Sequence, residues 1–189
     1  MMTFTELLKN RRAIRDFQVK EISLDTVKEI LRDATMAPSA SHGQPCQFII
    51  INNRETIKQL SDESKKNLLR DFAENKASLD PGYVNVLKDQ NFNVFYNAPC
   101  LIYVVGPDAV SSVVIDCTLA VSYIMFAAAS RGLGTCWIGL GMFIRDPKTK
   151  ALLGIPDGCS IVAPIILGYP KTIPAPPERH APNVLKIIS

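Results

Sequence analysis

Three arginines fall within five residues near the N-terminus: Arg11, Arg12 and Arg15. On a helix continuing to Arg15, Arg11 and Arg15 stand one turn apart and Arg12 and Arg15 are three residues apart, so their guanidinium groups can converge. Arginine's planar, permanently charged fork suits phosphate oxygens and can equally stabilise an anionic ring. A solvated positive face has the same spacing. A second stretch, Pro38-Ser39-Ala40-Ser41-His42-Gly43-Gln44-Pro45, offers hydroxyls, an imidazole, an amide and open backbone. Such a loop can surround a polar heteroaromatic ligand with donors and acceptors, or simply connect a helix to a strand.

Other chemistries are poorly served. No G-x-S-x-G elbow gives Ser39, Ser41 and His42 a hydrolytic reading. Gly134-Thr135-Cys136-Trp137 echoes the surroundings of a papain-type nucleophile, but only 53 residues follow Cys136, and His180 is the one histidine among them. Cys136 reads better as a small apolar core residue. Neither G-x-G-x-x-G nor G-x-x-x-x-G-K-[ST] occurs. The two histidines lack Cys, Asp or Glu neighbours at ligand spacing, so no metal site is expected. Five scattered cysteines without a C-x-x-C suggest reduced, buried thiols and a cytoplasmic protein.

The elements that must position these residues follow from caps and periodicity. Thr3 and Glu6 have capping-box spacing and open a first helix expected to run to about Arg15. Ser23 caps a second helix, with Leu24, Val27, Ile30, Leu31 and Ala34 on one face, stopped by Pro38. Phe48–Ile51, Leu101–Val105, Thr135–Ile138 and Ser160–Leu167 read as strands, and Pro164 suggests an edge or a bulge in the last. Helices are expected over Arg54–Leu60, Glu63–Asn75 and Tyr83–Asp89, and Asp146-Pro147 starts a short one. Ala109–Ser130 is as long and apolar as a membrane span. Asp116 and its small side chains favour a central helix buried in a core or an interface, closed at Gly132. Tyr169–Pro182 holds five prolines and should be an extended arm.

At 189 residues, 47% hydrophobic and 21% charged, the chain has the size and composition of one soluble domain. A net charge of +3 gives no reason to expect a nucleic-acid or membrane partner. The N-terminus has no apolar run of the signal-peptide kind. The expected class is α+β, a single domain over 1–189 with 169–189 as a Pro-rich C-terminal arm.

Taken in order, the motifs resemble one family. Arg11-Arg12-Ala13-Ile14-Arg15-Asp16-Phe17 is similar to the R-R-S-I-R-x-F opening of FMN-dependent nitroreductases. Ala37–Pro45 resembles their A-P-S-x-x-N-x-Q-P-W loop, and Gly132–Gly139 their G-L-G-[ST]-C-W-I-G strand. Gly168-Tyr169-Pro170, with the prolines before Arg179, resembles their C-terminal arm. The resemblance implies a central mixed or antiparallel sheet flanked by helices, a homodimer with flavin sites at the interface, and FMN as cofactor. It implies that Arg11, Arg12 and the Ala13 backbone hold the phosphate and ribityl chain, that Arg15 lies near the pyrimidine end and stabilises charge there, and that Ile138 and Gly139 face N5. Pro38, Ser39, Ala40, His42 and Gln44 would come from the other subunit, and Arg179 would complete the phosphate site. His42 stands where the family usually has Asn, and Cys46 where it often has Trp.

The implied activity is NAD(P)H-dependent reduction of nitroaromatics, quinones or related small acceptors by hydride transfer through the flavin, with no obligatory protein acid or base. Flavin reduction, reductive dehalogenation and flavin storage are the alternatives on the same scaffold.

Overall fold

A computed structural model describes residues 3–76 and 80–188. Its centre is a sheet of four strands, β1 (Gln47–Ile51), β2 (Cys100–Pro107), β3 (Gly134–Trp137) and β4 (Cys159–Gly168), in the order β1-β2-β4-β3. Every pairing is antiparallel, which selects one of the two expected sheet types.

β2 shows how the sheet divides the core. Side chains alternate across a strand, so Cys100, Ile102 and Val104 join one cluster, while Leu101, Tyr103 and Val105 join the other. The first cluster is closed by α2 (Leu24–Ala34) and α5 (Val113–Ser130) through Val27, Ile30, Val121 and Ile124. The second is closed by α3 (Arg54–Ala73) through Ile57, Leu60 and Leu68, with Leu87 from α4 (Pro81–Lys88) and Leu153 from α6 (Pro147–Leu153). Nearly unbroken apolar runs in the inner strands are what burial on both faces demands.

Caps set most helix starts as expected. The Thr3–Glu6 capping box opens α1 (Phe4–Asn10), and Ser23 and Asp146 accept backbone N–H groups at the starts of α2 and α6.

Several expectations are corrected. The first helix ends at Asn10 and does not reach Arg15, because the next residues dock on the outer edge of β3: Ala13 bridges Thr135, and the Ile14 N–H donates to the Thr135 carbonyl at 2.9 Å. A helix through Arg15 would leave that edge bare. The two helices expected over 54–75 are one, α3. Its buried polar residues interrupt the apolar period because they serve neighbouring loops: the Ser61 hydroxyl accepts the Val94 N–H, the Ser64 hydroxyl donates to Leu140 O, and the Asn67 amide donates to Phe143 O. The strand holding Pro164 lies inside the sheet, not at its edge, although a bulge does sit nearby, with Val162 as the extra residue between Ala163 and Ile161. The long apolar helix starts at Val113, not Ala109; the single chain buries one side of it, with Val114, Ile115, Leu119 and Tyr123 on the other.

Beyond Pro170 the chain runs without regular elements to residue 188, as its prolines led one to expect. It is fastened at its root by Gln18 N–H to Tyr169 O and Lys171 N–H to Asp16 O, at 2.9 and 3.0 Å.

Candidate active site

The arginine segment lies along β3 in extended form, so its members are spread along an edge and not stacked on a helix face. Gly134 makes the approach possible: a Cβ there would fall 2.5 Å from Ile14 Cγ1. Ile14 fills that space and is buried, pinning the backbone between Arg12 and Arg15.

Arg11 and Arg12 border a small cavity of about 110 Å3 with Asn10, Gly134, Thr135 and Pro170. Arg12 donates from Nη1 to the Arg11 carbonyl at 2.8 Å, while its buried Nε has no partner. A buried guanidinium N–H without an acceptor costs on the order of 1–3 kcal/mol, more where charge is involved. Arg15 lies in a larger cleft of about 430 Å3 with Asp80, Tyr83, Tyr96, Trp137, Ile138 and Gly139. Its guanidinium carbon is 5.8 Å from the centre of the Tyr96 ring, within cation–π range. Among the described residues no carboxylate forms a salt bridge with Arg11, Arg12 or Arg15. The positive field reaches inward: burial pushes the Cys136 thiol up, and Arg15 and Arg11 pull it partly back.

Beside the arginines the sheet edge turns. Ile138 donates its N–H to Pro164 O at 2.9 Å, and its own carbonyl accepts the Gly141 N–H at 2.9 Å, so the chain leaves the strand for a single turn over Gly139–Gly141. Nothing lies within 4 Å of where a Gly139 Cβ would be. Unpaired positive charge, an orphaned buried donor and open ground over backbone together fit a flat, anionic cofactor of the flavin mononucleotide kind.

The loop from Pro38 to Gln44 is elsewhere. It includes a turn at Ala40–His42, and Ser41, His42 and Gln44 all have positive φ (49°, 57° and 46°). Non-glycine residues hold such angles only where their surroundings fix them. Here the Ala40 N–H donates to Asp116 Oδ1 at 3.0 Å, the Gln44 N–H donates to Ser39 Oγ at 3.0 Å, and Gln44 Nε2 lies 2.9 Å from His42 Nε2. Pro38, Ser39 and Gln44 border a second cavity of about 110 Å3 that shares no lining residue with the arginine cavity or the Arg15 cleft. Arg179 is exposed on the C-terminal arm. One chain therefore sets Arg11, Arg12, Ala13, Arg15, Ile138 and Gly139 along one sheet edge and its turn, while Pro38, Ser39 and Gln44 line a different cavity.

Sequence reasoning passed over Tyr96, and noted Asp116 only as a charge in an apolar helix. Asp116 is 3% exposed with both oxygens engaged, the second by the Ser112 hydroxyl at 2.8 Å. A carboxylate at that depth was itself the signal, since buried charge persists where partners hold it.

The profile of the nitroreductase family matches residues 8–169, nearly the whole folded body. This chain belongs to the nitroreductase family. A protein of Archaeoglobus fulgidus provisionally named NADH dehydrogenase/NAD(P)H nitroreductase is 30% identical over 88% of this chain and 84% of its own. An iodotyrosine deiodinase of Nematostella vectensis is 22% identical over 97% of this chain and 71% of its own. A nitroreductase from Bacteroides fragilis, crystallised with bound FMN, superposes with a TM-score of 0.82 at 24% identity, covering both chains completely. As a nitroreductase-family member the chain is an oxidoreductase, and its fold is that of the family.

Proposed function

We propose that this nitroreductase-family protein is an FMN-dependent homodimer that uses NADH or NADPH to reduce nitroaromatic, quinone or related small acceptors. The observation that carries the reading is the orphaned, buried Arg12 Nε beside Arg11, on the same sheet edge as Arg15 and the open ground of Gly139. When bound, FMN would supply two-electron hydride chemistry between the nicotinamide donor and the acceptor.

The chain's own residues do the rest. Arg11, Arg12 and the Ala13 backbone hold the phosphate and ribityl chain, giving Arg12 Nε its missing acceptor. Arg15 places a fixed positive charge at the pyrimidine end, and Ile138 and Gly139 border the reacting edge with backbone only. Trp137, Tyr96 and Tyr83 wall the cleft with aromatic surface suited to flat acceptors.

Pro38, Ser39, Ala40, His42 and Gln44 complete the site from a second copy, a reading supported by their lining a cavity of their own. That copy also covers apolar surface a lone chain leaves wet: Val114, Ile115 and Leu119 on α5, and Leu185, Ile187 and Ile188 on the arm. Arg179, carried on the same arm, adds a further cation for the phosphate. Reductive dehalogenation is the second reading, favoured by the deiodinase relative. Anaerobic mixing of the FMN-loaded protein with NADH or NADPH, followed by a panel of nitroaromatic, quinone and halophenol acceptors, tests both. Bleaching of the flavin and its reoxidation by the preferred acceptor are expected. A protein that takes up no FMN overturns the proposal.

A further inference from the structure

Cys46 and Cys117 lie 71 positions apart in the chain, yet Cys46 packs against the core cluster that holds Cys117. Gly106 explains how they meet. The register of β1 on β2 pairs Gln47 with Val105, which sets Cys46 beside Gly106. α5 crosses above, with Cys117 Sγ 3.3 Å from the point where a Gly106 Cβ would stand and 3.9 Å from the Val105 carbonyl. A side chain at 106 would collide with Val113 and separate the two sulfurs; glycine leaves the space to the thiols.

The two environments differ. Cys117 is fully buried in the core, whereas Cys46 is half-buried and borders the small cavity lined by Pro38, Ser39, Gln44 and Asp116. The neighbouring Cys117 thiol holds the ionisation of Cys46 below the ordinary thiol range against burial and Asp116, while Cys46, burial and Asp116 push Cys117 up. A half-buried sulfur bordering a cavity thus neighbours a fully buried one, the arrangement of an attacking and a resolving cysteine. The other free cysteines, Cys100, Cys136 and Cys159, have no thiol neighbour of this kind.

We propose that Cys46 and Cys117 form a peroxide-oxidisable pair, a modification site distinct from the arginine edge and set on the cavity lined by Pro38, Ser39 and Gln44. The Cys46 thiolate attacks one oxygen of a hydroperoxide, breaking the O–O bond to give a Cys46 sulfenic acid and an alkoxide or hydroxide, which takes a proton. The Cys117 sulfur then attacks the Cys46 sulfur. The S–S bond forms as the S–O bond breaks, and the departing hydroxide leaves as water with the Cys117 proton. Two thiols and one hydroperoxide yield one disulfide, one alcohol or water, and one water. The bond would staple the start of β1 to α5, directly beneath the loop that Asp116 holds through Ala40.

The test exposes the FMN-loaded protein, without nicotinamide, to limiting hydrogen peroxide, alkylates it under denaturing conditions, and maps the peptides by mass spectrometry. Expected is loss of two of the five thiols per chain, a Cys46–Cys117 linked peptide lighter by two hydrogens, and full recovery with dithiothreitol. Cys46→Ser should slow oxidation of Cys117 at least tenfold, and Cys117→Ala should leave a sulfenic acid on Cys46 that dimedone traps. Peroxide-treated wild type without the linked peptide, or with thiol loss spread over all five cysteines, overturns the proposal whatever the variants do.

Discussion

Pro164 faces Ile138 across the end of β3, accepts its N–H at 2.9 Å, and has no N–H to return. In an antiparallel pair, facing residues of this kind exchange two hydrogen bonds. The missing second bond frees the Ile138 carbonyl for the Gly141 N–H, and the strand becomes a turn. A proline inside the sheet thus ends its neighbour's ladder at the residue before the open ground of Gly139.

Replacing that proline tests the relationship. Pro164→Val supplies an N–H that competes for the Ile138 carbonyl and draws Gly139 toward the strand. One added hydrogen bond contributes about 1 kcal/mol, so thermal unfolding of the apoprotein should be unchanged or slightly raised. FMN affinity, followed by quenching of flavin fluorescence, should fall several-fold. Retained affinity together with unchanged stability would show that the turn does not depend on the proline.

Arg12→Ala removes the buried guanidinium whose Nε has no acceptor within the chain. A hydrogen bond to a charged group is worth about 1.5–3 kcal/mol, or about ten- to a hundredfold in Kd. FMN binding should weaken by that factor and riboflavin binding by less than about twofold, because riboflavin carries no phosphate. Removal of a guanidinium left unsatisfied should also leave the apoprotein no less stable. Equal losses for both ligands would mean that the edge has collapsed. The same comparison applies to Arg179→Ala, where a difference between the two ligands places the arm at the phosphate.

These residues also mark how far the sequence could be read. Phe48–Ile51 and Leu101–Val105 were legible as strands because runs of β-branched and large apolar side chains have few other uses, and Ser23 and Asp146 announced their helices through side-chain oxygens. The family resemblance pointed to the arginine edge. The stretch from Arg11 to Arg15 was misread because nothing local stops a helix there; the stop is Thr135, more than a hundred residues away, which pairs with the extended chain. α3 was cut in two for the opposite reason, its buried serines and asparagine being polar toward loops distant in sequence. That Arg11 and Arg12, Arg15, and Pro38 with Gln44 line separate cavities is a matter of three-dimensional placement, which no spacing encodes.

Acid sensitivity should trace in part to Asp71. Its carboxylate is gripped by both terminal nitrogens of Arg145, with Nη1 to Oδ1 at 2.7 Å, and this bond holds the carboxyl below the usual aspartate range. A depressed folded value means that the unfolded chain binds the proton first. The contribution is therefore complete above the unfolded value of about 3.9 and is lost as pH falls below it toward the folded one. Asp71→Asn should lower Tm at pH 7 and flatten its fall between about pH 5 and 2. An acid limb parallel to that of the wild type would assign the sensitivity to other carboxylates.

Arg15 offers the sharpest test of the cleft. Its guanidinium is not carried on a helix with Arg11. It leaves an extended backbone anchored by Ile14, meets the Tyr96 ring at 5.8 Å, and has no carboxylate partner among the described residues. A cation at the edge of a cleft favours negative charge placed beside it. Flavin reduction adds negative charge at the pyrimidine end, so Arg15 should favour the reduced cofactor over the oxidised one. Arg15→Gln keeps a donor and the length of the stem while removing the charge. FMN binding should persist, the potential of the bound flavin should fall, and hydride uptake from NAD(P)H should slow by about tenfold, the equivalent of roughly 1.4 kcal/mol. Arg15→Lys, which restores charge without the planar fork, should recover most of the potential and less of the rate. A variant that binds FMN at an unchanged potential would leave Arg15 as a packing partner of Tyr96.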